Sequence, residues 1–225
     1  MSVRESSNRY FAPEEAKRFY DRLGSGQDWQ CFYENPAIGE LIAHCAFDSA
    51  HSIFEFGCGT GAFAARLLQR HLPVDARYVG LDISSTMISL SLKRLRPWLG
   101  RARAYQTDGS PRIPEPDGSF DRFVSTYVLD LLPPEFIERL LSEARRLLAP
   151  GGSLCLLSLT RGTSRFSGAV CWGWQKLWRL SPSIVGGCHP IELLEYLPSE
   201  HWSPLYRVTL TSWGISSEVL VASVR

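Results

Sequence analysis

The sequence predicts an α/β domain built on one mostly parallel sheet of seven strands, with helices on both faces and an antiparallel hairpin at its C-terminal end. Three observations carry this prediction. Between residues 51 and 160, short β-type apolar runs alternate with amphipathic stretches of helical period. Several of the runs are apolar at successive positions, as strands covered on both faces are. After residue 200, two further β-type runs are separated only by Gly214-Ile215, too short a connection for a parallel crossover.

The elements follow in chain order. "PEEAKRFYDRL" (13–23) reads as a helix opening on Pro13 with two acids in its first turn, broken by "GSGQDW". A second helix is expected from about Asn35 to Phe47, with Ile38, Leu41, Ile42 and Cys45 on one face. "HSIFEF" (51–56) is the first strand and "GAFAARLLQRH" (61–71) its helix. "ARYVGLDIS" (76–84) is the second strand, and the helix after it, 85–99, has Ser84 or Ser85 as its cap. "RARAYQTDG" (101–109) and Phe120–Thr126 are the third and fourth strands. An amphipathic helix then runs from Pro133 and is ended by Pro150-Gly151-Gly152, before "SLCLLSLT" (153–160) as the fifth strand. A short helix at "HPIELLEYL" (189–197) precedes the final pair, "LYRVTLTSW" (205–213) and "SSEVLVASVR" (216–225). No internal repeat or linker divides the 225 residues, so one domain over 1–225 is expected.

Composition narrows the function classes. The chain is 44% apolar, as soluble globular proteins are, and 24 Lys and Arg nearly cancel 23 Asp and Glu. A net charge of +1 supplies no global field to gather nucleic acid or an anionic membrane. The densest basic run, Lys93 to Arg103, lacks an aromatic stacking platform and reads as a solvated helix end. The six cysteines form no C-x-x-C pair, so neither a zinc site nor a redox dithiol is indicated, and no metal is expected. The N-terminal stretch has no apolar h-region and no run approaches the ~20 residues of a bilayer span, so a cytoplasmic location is expected.

The chemistry-bearing residues cluster where strands end. In an open parallel sheet, ligands sit beyond the carboxyl ends of the strands. Gly57, Gly59 and Gly61 follow the first strand, where missing side chains let backbone and a helix N-terminus approach a ligand. Asp82 closes the second strand, where a carboxylate can accept from both hydroxyls of a ribose. Asp108 closes the third, and Thr126 and Tyr127 the fourth. Gly57-x-Gly59-x-x-Ala62 satisfies a loose dinucleotide fingerprint, while Glu55-x-Gly57-x-Gly59-x-Gly61 fits another nucleoside ligand.

"EFGCGTG", "VGLDIS", "TDG", "FDRFVSTYVLDLL" and "LLAPGGSLCLLSL", in that order and spacing, resemble the successive motifs of class I S-adenosylmethionine-dependent methyltransferases. The resemblance covers about residues 50–160 and implies a Rossmann-like sheet whose last strand is antiparallel. Among subgroups, "DGSPRIPEPDGSFDRFVSTYVLDLL" with "EARRLLAPGG" is most similar to the ubiquinone/menaquinone C-methyltransferase-like group. It implies S-adenosyl-L-methionine as cofactor. Glu55 would hold the methionine ammonium through water, the three glycines would pack against methionine and ribose, and Asp82 would bind the ribose hydroxyls. Asp108 and Gly109 would sit at the adenine, Ile83 and Met87 would cover its face, Thr126 would contribute near the amino-acid portion, and Tyr20 would close over the cofactor. In the same frame, 1–50 is an N-terminal helical cap and 161–200 an insertion on the substrate side.

Local alternatives stand beside these roles. Asp108 in "TDGSPR" can form an Asx-turn, Asp82 can serve as a helix-start acid, and Tyr20 can be core. His189 is the candidate general base, because imidazole titrates near neutral pH, though a lone His before Pro also suits a turn. Phe166, Val170, Trp174, Leu177 and Trp178 share a helical face that could form a lid over an apolar substrate, touch a membrane surface, make a dimer contact, or pack in the core. The expected partner is a small apolar or aromatic methyl acceptor, methylated at oxygen or carbon, and not nucleic acid. The rival readings are a nicotinamide-dependent oxidoreductase, which would leave Glu55 and the terminal hairpin unexplained, and a non-catalytic binding module. Calorimetric titration separates the cofactor classes: S-adenosylmethionine or its demethylated product should bind, and NAD or NADP should not.

Overall fold

A computed structural model describes residues 10–225. Its seven strands are β1 (Ser52–Phe56), β2 (Arg77–Asp82), β3 (Ala102–Gln106), β4 (Phe120–Thr126), β5 (Leu148–Leu159), β6 (Trp202–Ser212) and β7 (Ile215–Val224). They form one sheet in the order β3-β2-β1-β4-β5-β7-β6. The first five are parallel, and β7 lies antiparallel between β5 and β6. The chain winds outward from β1 to β3 and then returns to β4 on the other side of β1. The crevice beyond β1 and β4 is therefore the topological switch point, where ligands of open α/β sheets bind.

Among the described residues six α-helices surround the sheet: α1 (Pro13–Leu23), α2 (Cys31–His44), α3 (Ala62–Arg70), α4 (Ser85–Arg94), α5 (Pro134–Leu147) and α6 (Arg165–Leu180). Successive strand residues point to opposite faces, so Phe54, Phe123, Leu154, Leu156 and Leu220 pack with α5. Ile53, Val124, Cys155, Leu157 and Val219 pack on the other face with Leu41 of α2 and Leu67 of α3. This two-sided cover explains strands with little polar alternation.

Several boundaries differ from the sequence expectation for identifiable reasons. α2 begins at Cys31, ahead of Pro36, because a 3₁₀ helix over Gly24–Gln30 leads directly into it. It ends at His44, and Phe47 lies buried in a separate 3₁₀ turn beyond Ala46, whose φ is +45°. Buried Arg122 donates to the Cys45 and Ala46 carbonyls (2.6 and 2.8 Å), satisfying backbone acceptors that a helix end leaves free. α4 stops at Arg94 and gives way to a 3₁₀ turn over Arg96–Trp98, since the residue before Pro97 is disfavoured in helix. β5 begins at Leu148 and takes Pro150-Gly151-Gly152 into the strand. There the pairing jumps from Phe120–Leu148 to Arg122–Ser153, which makes the segment a bulge. The expected helix at 189–197 is a 3₁₀ turn over Leu193–Tyr196.

A polar pair sits inside the sheet packing. Tyr78 donates to a Glu55 carboxyl oxygen at 2.5 Å, both side chains being buried. Glu55 faces Gly80 in the β1–β2 register, and a Cβ on Gly80 would stand 2.6 Å from the Tyr78 hydroxyl oxygen. The absent side chain at Gly80 is what lets Tyr78 reach along the sheet. Burial, partly offset by the tyrosine hydrogen bond, pushes the Glu55 carboxyl up to about 8.

Two predictions follow from these contacts. The unfolded carboxyl titrates near ~4.3, so between that pH and about 8 the folded chain binds more protons at Glu55 than the unfolded chain. Stability should therefore fall as pH rises through this window, measured as the denaturant midpoint. Glu55→Gln, which keeps an acceptor for Tyr78, should flatten the fall. Separately, the β6–β7 turn places Trp213 (φ +55°) and Gly214 (φ +80°) both in the left-handed region that such hairpins require. Trp213 is 79% exposed and loses little packing on replacement. Trp213→Asn should stabilise by about 1 kcal/mol, read as a melting temperature raised by roughly 2–4 °C.

Candidate cofactor and acceptor site

Two cavities adjoin at the carboxyl ends of β1, β2 and β4. One, of about 190 Å³, lies between Asp82, Ile83, Thr107 and Gly109 on one side and Leu131, Leu132 and Phe136 on another, roofed by Phe11, Pro13 and Tyr20. The other, of about 330 Å³, lies over the glycine loop and is walled by Asp28, Glu34, Glu55, Thr60, Phe63 and Arg66. Gln27, Gly57, Thr126 and Tyr127 border both, so they form one elongated trough with an apolar end and a polar end. Its volume falls in the range of small-molecule sites.

The three loop glycines have different reasons to be glycine. Gly57 has φ +78°, and a Cβ there would stand 2.3 Å from Val128 Cγ2. A Cβ on Gly61 would collide with Ser91 of α4 at 2.7 Å. These two are bare because protein packs against them, and Gly61 does not line the trough. At Gly59 only the flexible end of Gln27 lies near, at 3.4 Å, so that position alone is open on the ligand side. The Gln27 side-chain oxygen is buried and unpartnered where the cavities meet, a polar group placed for a ligand donor.

Asp82 is held by two backbone amides: Gly59 N–H donates to one carboxyl oxygen and Ser84 N–H to the other, both at 2.9 Å. It thereby ties the glycine loop to the start of α4 while lining the trough. Burial raises its pKa, against the lowering by those amides. Ser84 caps α4 by accepting from Met87 N–H at 3.1 Å.

The N-terminal elements are pinned over the trough at two points. Asp21 of α1 accepts from Ser84 Oγ (2.6 Å), Thr86 N–H (3.1 Å) and Lys17 (2.6 Å). Asp28 accepts from Thr60 Oγ1 (2.6 Å) and pairs with Arg94 (2.7 Å), which also donates to the Thr60 carbonyl at 3.1 Å. Tyr20 reaches from α1 to the Gly186 carbonyl at 3.4 Å and faces the apolar cavity.

Other expectations need correction. Asp108 is exposed and accepts from Ser110 N–H at 2.8 Å, so it forms the Asx-turn, and Thr107 and Gly109 line the cavity in its place. Met87 is fully buried in the first turn of α4 and does not border the trough, whereas Ile83 does. His189 lies outside the trough: its ring stacks on Trp178 at 4.8 Å, and its backbone N–H donates to the Asp130 carbonyl. Burial holds the imidazole down to about 4, so it is neutral at pH 7 and a weak base. Within the 161–180 segment, Arg165–Leu180 is a helix, as its periodicity suggests, with Ser164 and Ser167 capping it reciprocally. No described α6 residue lines the trough. Instead Trp174 and Trp178 donate to the Cys188 and Gly187 carbonyls at 2.9 and 3.0 Å, fixing the strand of chain on which Tyr20 rests.

Gln27, Asp28, Glu34 and Arg94 are contributions that sequence reasoning missed. They lie on the N-terminal segment and a basic helix end with no motif, and their roles depend on contacts across more than thirty residues. Among the described residues no cluster of His, Cys, Asp or Glu is arranged to hold a metal ion, and no helix is long and apolar enough to cross a membrane.

The trough fits a nucleoside carrying a cationic amino-acid arm: a carboxylate at the β2 end, an open glycine in the loop, an unpartnered amide oxygen, and acidic residues along the polar end. Residues 53–152 match the family model described as a methyltransferase domain. Over 150 residues the chain is 29% identical to the tRNA N(3)-methylcytidine methyltransferase Mettl2 of Drosophila melanogaster, covering 64% of this chain and 46% of that protein. It is 24% identical over 184 residues to the demethylmenaquinone methyltransferase of Symbiobacterium thermophilum, covering 75% and 68%. The chain thus spans under half the length of the fly relative. Among solved structures, a geranyl diphosphate methyltransferase in complex with geranyl diphosphate and sinefungin superposes with a TM-score of 0.65 at 15% identity, covering 84% of this chain and 77% of that one. Residues 53–152 of this chain are thus similar to a methyltransferase domain, and the trough they border has the shape and polarity that S-adenosylmethionine needs.

Proposed function

We propose that the protein transfers a methyl group from S-adenosylmethionine to a small, largely apolar or aromatic acceptor, at oxygen or carbon. The observation that carries this reading is the apolar end of the trough, where Phe11, Leu131, Leu132 and Phe136 continue from the Asp82 side without a basic wall. When bound, the cofactor supplies an activated methyl carbon on a sulfonium. The chain's part is then to orient the reactants and exclude water. Asp82 would hold the ribose hydroxyls, Ile83, Thr107 and Gly109 would frame the adenine, Thr126 would lie near the amino-acid arm, and Tyr20 would cover the assembly. Glu55 borders the polar cavity too, but buried against Tyr78 with its carboxyl pushed up to about 8, it would meet that arm as a neutral group. We assign no general base, since neutral His189 lies outside the trough.

A second reading is transfer to a tRNA cytidine, favoured by the named activity of the fly relative. Against it, nucleic acid affinity rests on neutralising phosphates, and the polar cavity presents Asp28, Glu34 and Glu55 beside one arginine, Arg66. Radiolabelled S-adenosylmethionine, incubated with the protein and cell extract split into protein, nucleic-acid, polar and lipid-soluble fractions, separates the two. Label should enter a small-molecule fraction and vanish with Asp82→Ala. Label entering RNA would establish the second reading.

A further inference from the structure

We propose that Glu34, in the first turn of α2, is the counter-ion for the ammonium of the cofactor's amino-acid arm. The inference rests on S-adenosylmethionine being the ligand, and it gives the charge-pairing role to an N-terminal helix instead of the β1 acid. Three carboxylates border the polar cavity. Asp28 is taken by Thr60 and Arg94, and Glu55 by Tyr78. Glu34 has no lysine, arginine or histidine within 4 Å among the described residues, although Arg66 borders the same cavity.

Its electrostatic surroundings are anionic. Asp130 and Asp28 both act on it as like charges, and with burial as the larger cause they push its carboxyl up to about 7, against a hydrogen bond from Tyr33. Tyr33 and Tyr127 stand edge to face at 6.0 Å beside it. A carboxylate in such a place is costly to keep ionised unless a cation arrives to pair with it. The cofactor's ammonium and sulfonium are such cations, and aromatic rings add to the attraction. A dinucleotide's pyrophosphate would meet repulsion at the same point. The side chain borders the same cavity as the glycine loop, so a methionine arm placed over Gly57 and Gly59 would share that cavity with the carboxylate.

The test uses three probes: S-adenosylmethionine, S-adenosylhomocysteine and 5′-methylthioadenosine, which lacks the amino-acid arm. Calorimetry on the full chain should show Glu34→Gln weakening the first two by about ten- to hundredfold, with methylthioadenosine affinity unchanged. Glu34→Asp, which keeps the charge, should restore part of the loss and provides the comparison should the Gln variant fold poorly. Unchanged affinity for S-adenosylmethionine would overturn the proposal, and so would equal weakening of all three probes, which would make Glu34 a scaffold residue. A folded wild-type chain that binds none of the three would instead remove the cofactor assignment, and this inference with it.

Discussion

The Asp82 carboxylate, gripped by the amides of Gly59 and Ser84, joins the loop after β1 to the helix after β2. Most of the site hangs from that junction. The loop must expose its backbone to a ligand, so it can carry few side chains with which to anchor itself. Asp82 supplies the anchor from the neighbouring strand, and Ser84 at the same place caps α4 and donates its hydroxyl to Asp21 of α1. A charge-assisted hydrogen bond to a backbone amide is stronger than a neutral one, and here both oxygens are engaged. Asp82 thus organises both flanks of the trough before any ligand adds its own bonds.

The fold was legible because its signals are local and repeated. Strand-type runs such as Ser52–Phe56 and Arg77–Asp82 owe their apolar character to a sheet covered on both faces, and periodicity alone reveals that. Glycines and an acid at successive strand ends placed one side of the site for the same reason. What could not be read is which backbone atoms need bareness for a ligand and which for packing. Gly57 and Gly61 face Val128 and Ser91, residues remote in sequence, and only the folded chain brings them together. Asp108 shows the converse: its side chain satisfies the amide two residues on, a local bond that outcompetes a role at distance.

The N-terminal half of the site was illegible for a related reason. Gln27, Asp28 and Glu34 belong to a 3₁₀ segment and a helix start whose sequence specifies helix but no chemistry. Their meaning comes from Thr60, Arg94 and the cavity they face. The tryptophans of α6 were visible as a helical face, yet their indole N–H groups serve the carbonyls of Gly187 and Cys188. A buried indole needs an acceptor, and supplying one fixes the connecting chain rather than a pocket wall.

The sheet order has a consequence for assembly. β7 follows β6 in the chain but is inserted between β5 and β6, pairing with both. Until it docks, β6 has no partner and β5, whose residues 154–157 are wholly apolar or buried, presents an open edge. An unpaired apolar edge is a template for pairing with another chain. Any event that removes β7 therefore opens β5 to aggregation, at an edge two strands away from the glycine loop and its Asp82 anchor.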